Sequence, residues 1–262
     1  MIQFDSKHIL ITGASSGIGR GISRELASRH TNLYLTGRNR ERLEDVCKEC
    51  LAAGAASARY YIVDMADEDS INEFARSFDA PQLDVLVLNA GISQRSKAFD
   101  TDPSVDRKIM ETDFFGPVLL TKGLSRFIQG GEHCSIAVTS SISGLFGFPL
   151  RSAYCAAKHA LFGYFESLEL ENSNIRVTFL IPGRVNTPIS KSALDGKGGK
   201  HGVMDEGQAK GLSVEKCARK AVRAIARGRR RKLIGGVELV MVYIKKWIPG
   251  LFFRIAGRVK AT

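Results

Sequence analysis

Long apolar runs are missing from this sequence. No stretch reaches the ~18 unbroken apolar residues of a membrane-spanning helix, and the opening MIQFDSKHIL has no basic leader, apolar core and cleavage site in order. Neither a spanning anchor nor export is expected. Proline is scarce, 7 among 262 residues, so extended Pro-rich linkers are excluded. Cysteine is sparse and odd in number, at five, which speaks against a disulfide framework. A chain of this length buries roughly 70% of its unfolded surface and needs no such staples. Cys47 and Cys50 form a CxxC, but inside the helix-period stretch RNRERLEDVCKECLAA, with no second pair or nearby histidine to complete a tetrahedral site. The five histidines (His8, His30, His133, His159, His201) have no HxxxH or HExxH spacing, and no metal centre is expected.

Carboxylates are nearly absent from the end of the chain. Residues 216 to 262 hold 14 basic side chains and one acid, Glu238, whereas residues 1 to 215 hold 24 basic and 26 acidic. The net charge of +11 therefore sits in the tail. An excess of this kind suits a solvated face or an anionic partner.

What is present is alternation. Short apolar runs at 8–12, 32–36, 58–63, 83–88, 134–139 and 175–180 are separated by longer helix-period segments. Six nearly continuous strands between helices predict an α/β fold with a doubly wound parallel sheet covered on both faces. Ligands of such sheets sit beyond the carboxyl ends of the strands, so functional residues are expected just after each run.

After the first run comes Thr12-Gly13-Ala14-Ser15-Ser16-Gly17-Ile18-Gly19, leading into a helix that begins near Gly17. Glycines in a strand-to-helix turn let the backbone approach a pyrophosphate, which then rests on the free N–H groups of the helix N-terminus. After the second run stands Gly37-Arg38-Asn39-Arg40, where dinucleotide folds choose between an acid for a ribose 2′-hydroxyl and a base for a 2′-phosphate. With no carboxylate there, NADP(H) is favoured and NAD(H) stays open. Asp64 follows the third run and Asn89-Ala90-Gly91 the fourth.

The fifth run ends in Thr139-Ser140-Ser141, and Tyr154 and Lys158 lie downstream, four residues apart in YCAAKHALFGYFESLEL. Positions i and i+4 share a helix face. An ammonium beside a phenol favours the phenolate and lowers its pKa, which suits a proton donor and acceptor.

TGASSGIG, Asp64, LNAG, the spacing of Ser141, Tyr154 and Lys158, and Pro182-Gly183-Arg184-Val185-Asn186-Thr187 together resemble the short-chain dehydrogenase/reductase family over about residues 7 to 190. The resemblance implies that Gly13, Ser15, Ser16, Gly17, Ile18 and Gly19 line the cofactor pyrophosphate. It assigns Arg38 to the 2′-phosphate, Asp64 and Met65 to the adenine, Asn89, Ala90 and Gly91 to the adenosine ribose region, and Pro182, Val185 and Thr187 to the nicotinamide end. It also implies that Tyr154 passes a proton to a carbonyl oxygen that Ser141 orients, while Lys158 holds the nicotinamide ribose and depresses the tyrosine pKa. One position departs from the pattern. The family's NxxG asparagine, which holds a water in a proton relay to the lysine, is replaced in Asp113-Phe114-Phe115-Gly116 by an aspartate that can accept from water or pair with Lys158. Activity is expected to survive with a shifted pH profile.

The expected organisation is a nucleotide-binding domain over residues 1–235, with a substrate loop at about 188–212, followed by a basic, apolar segment at 236–262. The loop is rich in Gly and Lys and lacks a period. Phe146, Phe148 and Leu150 suit either an apolar wall or the core. In the tail, Trp247, Ile248, Leu251, Phe252, Phe253 and Ile255 interleave with Lys245, Lys246, Arg254 and Arg258, a composition suited to lying on a membrane surface or to packing on the protein itself. The ending PGLFF also resembles the C-termini of a lipid-handling branch of the family. No recognition module accompanies the cations at 227–232, so nucleic acid ranks last. The expectation is a cytoplasmic carbonyl reductase or alcohol dehydrogenase with an apolar, small-molecule substrate. It would form a homodimer or homotetramer through the helices near 104–129 and 152–171 and touch a membrane at most peripherally. The alternative is a nucleotide-binding regulator or scaffold of the same fold.

Overall fold

A computed structural model describes residues 1–258. The last four residues of the expected C-terminal segment, 259–262, lie outside the described residues. Seven parallel strands run in the spatial order β3-β2-β1-β4-β5-β6-β7. They are β1 (His8–Ile11), β2 (Asn32–Gly37), β3 (Ser57–Ile62), β4 (Val85–Leu88), β5 (Cys134–Thr139), β6 (Ile175–Pro182) and β7 (Arg231–Ile234). Eleven helices among the described residues connect and cover them: α1 (Gly17–Ala27), α2 (Arg40–Ala52), α3 (Glu68–Ser77), α4 (Pro103–Met110), α5 (Gly116–Gly123), α6 (Ser125–Gln129), α7 (Ser152–Glu171), α8 (Glu206–Ala209), α9 (Val214–Ala226), α10 (Val240–Trp247) and α11 (Pro249–Ala256).

Strand period decides the two cores, because successive side chains point to opposite faces. Leu10, Leu86, Leu88, Ile136 and Val138 face one way, into a cluster with Phe74, Phe127 and Phe165 from α3, α6 and α7. Ile9, Ile11, Val85, Val87 and Ala137 face the other, against α1, α2 and α9. The register sets Leu10 beside Tyr34 on β2 and Leu86 on β4. All of these strand residues are buried, and a fully buried aliphatic or aromatic side chain contributes about 1.5–3 kcal/mol. The chain order reverses on either side of β1 and β4, which opens a crevice at their carboxyl ends.

Two features go beyond the expected elements. The basic run Arg231–Ile234 is a seventh strand, pairing Phe179 with Arg231 and Pro182 with Ile234. It is an edge strand, where charged side chains can reach solvent, and Arg231 pairs with Glu166 of α7 at 2.5 Å. Between α4 and α5, Glu111–Phe115 form a wide π-helical turn, closed by the Gly116 N–H donating to the Glu111 carbonyl. Single π turns inside helices recur at functional sites. Gly116 is needed there, since a Cβ would stand 2.1 Å from the Met65 carbonyl oxygen.

The segment after β6 is pinned to the body. The Arg95 N–H donates to the Leu194 carbonyl and the Leu194 N–H to the Ser93 carbonyl, each at 2.8 Å. Beyond β7, α10 and α11 fold back so that Phe252 and Ala256 are buried against Phe146, with the Phe146 and Phe252 ring centroids 4.9 Å apart.

Candidate active site

A cavity of about 770 Å³ opens at the carboxyl ends of the strands. The glycine turn forms its floor. Gly13 and Gly17 have φ of +65° and +53°, left-handed values that only glycine adopts without strain. A Cβ on Gly13 would lie 2.8 Å from the Ala90 Cα, so the close approach of the β1 and β4 loops also depends on its absence. Thr12 ties these loops together, its Oγ1 accepting from the Asn89 and Ala90 N–H groups at 2.9 and 3.0 Å. The Asn89 amide donates back to the Thr12 carbonyl at 3.1 Å. No side chain caps the N-terminus of α1, whose preceding residue Ser16 lies on the cavity wall. Free N–H groups there favour an anion.

Of the residues named from the sequence, Gly13, Ser15, Ser16, Gly17, Ile18, Arg38, Asp64, Met65, Asn89, Ala90, Gly91, Asp113, Ser141, Tyr154, Lys158, Pro182, Val185 and Thr187 all line this cavity. Gly19 is the exception. It stands behind the wall, where a Cβ would come within 2.4 Å of the Gly13 carbonyl oxygen, so it serves the packing of α1 on the turn. Arg38 is 61% exposed at the rim, with its guanidinium 3.8 Å from the Asp64 carboxylate, and Arg42 joins it on the lining.

Ser141, Tyr154, Lys158 and Asp113 are all buried and converge at the inner end. Ser141 Oγ accepts from the Ser143 N–H at 3.2 Å and lies 3.5 Å from the Pro182 carbonyl oxygen. Tyr154 and Lys158 sit one turn apart on α7, with the lysine Nζ 5.6 Å from the tyrosine ring centroid. Lys158 donates to the Thr139 carbonyl at 3.1 Å, and its Nζ also stands 3.1 Å from Asp113 Oδ2. The other Asp113 oxygen accepts from the Ile92 N–H at 2.8 Å. Gly91 makes room for this pair, since a Cβ there would lie 2.9 Å from Asp113 Oδ2 and 3.2 Å from Lys158 Nζ.

The electrostatics differ from the expected simple depression of the tyrosine pKa. Burial pushes the Tyr154 phenol up; Lys158 pulls it down, Asp113 pushes it up again, and a hydrogen bond with Ser141 lowers it, with the net direction upward. Burial pushes the Asp113 carboxyl up against the opposing pull of Lys158. Burial alone would lower Lys158, but the charges of Asp113 and Tyr154 outweigh it and the ammonium is raised. Carboxylate, ammonium and phenol thus form one coupled group.

Several residues in and behind the wall were not singled out from the sequence. Gln94, fully buried, accepts through Oε1 from the Ala153 and Tyr154 N–H groups at 2.8 and 3.2 Å. It caps α7 from outside, because Arg151 at the N-cap position supplies no side-chain cap. Asp205 joins two arginines: Arg95 at 2.5 Å and Arg151 at 3.0 Å. Burial, and next the neighbouring Arg95, pull the Arg151 guanidinium down to about 10. These partners are separated in sequence by up to 110 residues, so no local motif signals them. Phe146 and Phe148 line the cavity, and Phe146 is at the same time core. The CxxC lies elsewhere, on α2, where burial pushes the Cys47 and Cys50 thiols up to about 11 and about 12. Among the described residues no group of three or more His, Cys, Asp or Glu side chains is placed to hold a metal ion, and no helix is long and apolar enough to cross a membrane.

A family model described as short chain dehydrogenase matches residues 7–198. Dehydrogenase/reductase SDR family member 7B of Xenopus laevis is 37% identical over 257 residues, covering 94% of this chain and 80% of the relative. The protein of that name from Bos taurus is 38% identical over 261 residues, covering 94% and 79%. Among solved structures, a short chain dehydrogenase/reductase from Burkholderia phymatum in complex with NAD superposes with a TM-score of 0.84 over 96% of each chain, at 21% identity, a likeness of fold. An alcohol dehydrogenase from Thermococcus sibiricus complexed with 5-hydroxy-NADP gives a TM-score of 0.76 at 25% identity, over 89% of this chain and 97% of that one. With its glycine turn, its doubly wound sheet and these matches, the chain belongs to the short-chain dehydrogenase/reductase family, alongside members named 7B.

Proposed function

We propose that the protein is an NADP(H)-preferring oxidoreductase that interconverts a carbonyl and a secondary alcohol on an apolar, lipid-like substrate. The observation that carries this reading is the convergence of Ser141, Tyr154 and Lys158 with the glycine turn on one cavity. The residues fit a dinucleotide. A Cβ would fill the cradle at Gly13, the uncapped start of α1 offers donors to a pyrophosphate, and Arg38 with Arg42 marks the rim where a 2′-phosphate would lie. NADP(H), when bound, supplies or accepts the hydride. Tyr154 gives its phenolic proton to the carbonyl oxygen in reduction and takes it back in oxidation. Ser141 Oγ donates to the same oxygen and orients it, while Lys158 holds the nicotinamide ribose and its charge favours the phenolate. Ile142, Phe146, Phe148, Ile189, Val237 and Met241 on the wall support an apolar substrate. The outer face of α7 presents Ala156, Gly163 and Ser167, small residues that allow a second subunit's helix to approach, in keeping with a homodimer or homotetramer.

A second reading, a nucleotide-binding regulator without turnover, draws on one observation: Asp113, 3.1 Å from Lys158, competes for the ammonium that would otherwise stabilise the Tyr154 phenolate needed for alcohol oxidation. Titration with NADPH and NADH by fluorescence, followed by turnover of a panel of water-soluble and long-chain ketones, separates the two. The reductase reading expects tighter binding of NADPH and a loss of roughly 10²–10⁴-fold in turnover in Tyr154→Phe with cofactor affinity retained. Binding with no turnover across the panel favours the regulator.

A further inference from the structure

We propose that α10 and α11 form a docking face for an anionic bilayer surface, and that the face sets the mouth of the cavity against the lipid. The docking stands on the surface alone, whereas delivery of substrate through the mouth rests on the reductase reading above.

Half of the fourteen exposed large hydrophobic residues among the described residues fall between Val237 and Phe253. Helical period explains why they remain outside. On α11, Phe252 and Ala256, four apart, are buried against Phe146, which turns Phe253 and Leu251 to solvent. On α10, Met241 and Ile244 pack inward while Val240, Tyr243 and Trp247 share the outer face, Trp247 at 72% exposure. Pro249 starts α11 directly after α10, and Lys245 of α10 reaches over the Phe252 and Phe253 rings of α11, so the two helices' exposed faces lie side by side. A contiguous patch of this kind marks a surface that is covered in use.

Charge identifies what covers it. No Asp or Glu occurs between Leu239 and Arg258, and Lys245, Lys246, Arg254 and Arg258 lie among the apolar residues. The lysines sit directly on the aromatics, Lys245 Nζ 4.2 Å from the Phe253 ring centroid and Lys246 Nζ 4.9 Å from Trp247. The tail's single acid, Glu238, is turned inward, accepting from the Arg184 and Gly236 N–H groups at 2.8 and 3.1 Å. Pairing this face with itself in a second copy would set cations against cations. Anionic headgroups accept the cations, and the acyl boundary accepts Trp247, Leu251 and Phe253.

The same helix begins at the cavity. Val237, Glu238 and Met241 belong to its lining, and Val237, also exposed, opens the patch. An apolar substrate dissolved in the bilayer then enters without crossing water.

Co-sedimentation of the full chain with mixed phosphatidylcholine–phosphatidylserine vesicles tests the docking. Binding is expected at low salt, falling as salt rises, and weak on phosphatidylcholine alone. Trp247→Glu with Phe253→Glu is expected to abolish it, and Lys245→Glu with Lys246→Glu to weaken it at least about tenfold while flattening the salt dependence. All four positions are outside the cavity lining, so NADPH binding and turnover of a water-soluble ketone are expected to stay at the parent's level. Turnover of a vesicle-dissolved ketone is expected to fall. No sedimentation at low salt, or undiminished binding by both variants, overturns the docking. If Trp247→Glu with Phe253→Glu instead splits an oligomer in analytical ultracentrifugation and vesicles are never bound, the face belongs to a second copy and the proposal fails. A vesicle-dissolved ketone turned over equally by parent and variants overturns the delivery while leaving the reductase reading in place.

Discussion

Asp113 Oδ2 and Lys158 Nζ stand 3.1 Å apart in the interior, and Tyr154, one helical turn from the lysine, responds to both charges. The carboxylate attracts the ammonium that would otherwise stabilise a phenolate. The proton equilibrium at Tyr154 is therefore set by three groups together.

Replacing Asp113 by Asn removes a charge that raises both Tyr154 and Lys158. Both pKa values then fall. On the proposed reading, alcohol oxidation needs the deprotonated phenol, so its rising limb in a pH–rate profile moves to lower pH. Carbonyl reduction needs the protonated phenol, so its falling limb moves the same way. Profiles of kcat/KM for both directions check this, and coincident curves for parent and variant would remove Asp113 from the coupled group.

Arg38→Glu addresses the choice of cofactor. If the exposed guanidinium meets a 2′-phosphate, its loss costs about 1.5–3 kcal/mol, roughly 10- to 150-fold in NADPH affinity, while NADH binding holds or improves. Dissociation constants for both nucleotides from fluorescence titration decide it. An equal effect on the two would assign Arg38 to the surface.

Gln94→Ala withdraws the acceptor from the first turn of α7. Loss of an N-terminal cap costs about 0.5–2 kcal/mol, and the N–H groups left here are buried. A lower midpoint in denaturant unfolding is expected. Because Tyr154 is one of the two residues capped, kcat should also fall while the affinity for NADPH is kept; a stability loss with kcat unchanged would confine Gln94 to holding the helix.

Asp205→Asn leaves Arg95 and Arg151 as buried neighbours without their shared carboxylate. Breaking a buried pair on one side destabilises by about 3–5 kcal/mol. The segment carrying Asp205 should become the first site of proteolysis in a limited-trypsin time course. A variant as resistant and as stable as the parent would show that the backbone bonds between Leu194 and the Ser93–Arg95 stretch suffice to hold it.

Much of this architecture is legible in the sequence because it is local. The six apolar strands, the glycine turn and the Tyr154–Lys158 spacing each depend on residues within a few positions, and period alone places them. β7 escaped this reading since its residues, Arg231-Lys232-Leu233-Ile234, are half cationic and suit only an edge. Gln94, Arg95 and Asp205 escaped because their chemistry exists only once distant segments meet. The direction of the Tyr154 shift also required the fold, for spacing shows that a lysine is near a tyrosine but not how deeply both are buried.

The π-helical turn at Glu111–Phe115 gives the helical rod from Pro103 to Gly123 two rotational phases. Each residue of an α-helix advances the direction of its side chain by about 100°. Shortening the wide turn by one residue would bring α4 and α5 into a common phase and swing the Asp113 carboxylate away from Lys158, with every side chain still of the same type. The acid–base character of this interior is thus held partly in chain length, and an insertion or deletion there would retune it with every side chain of the site kept.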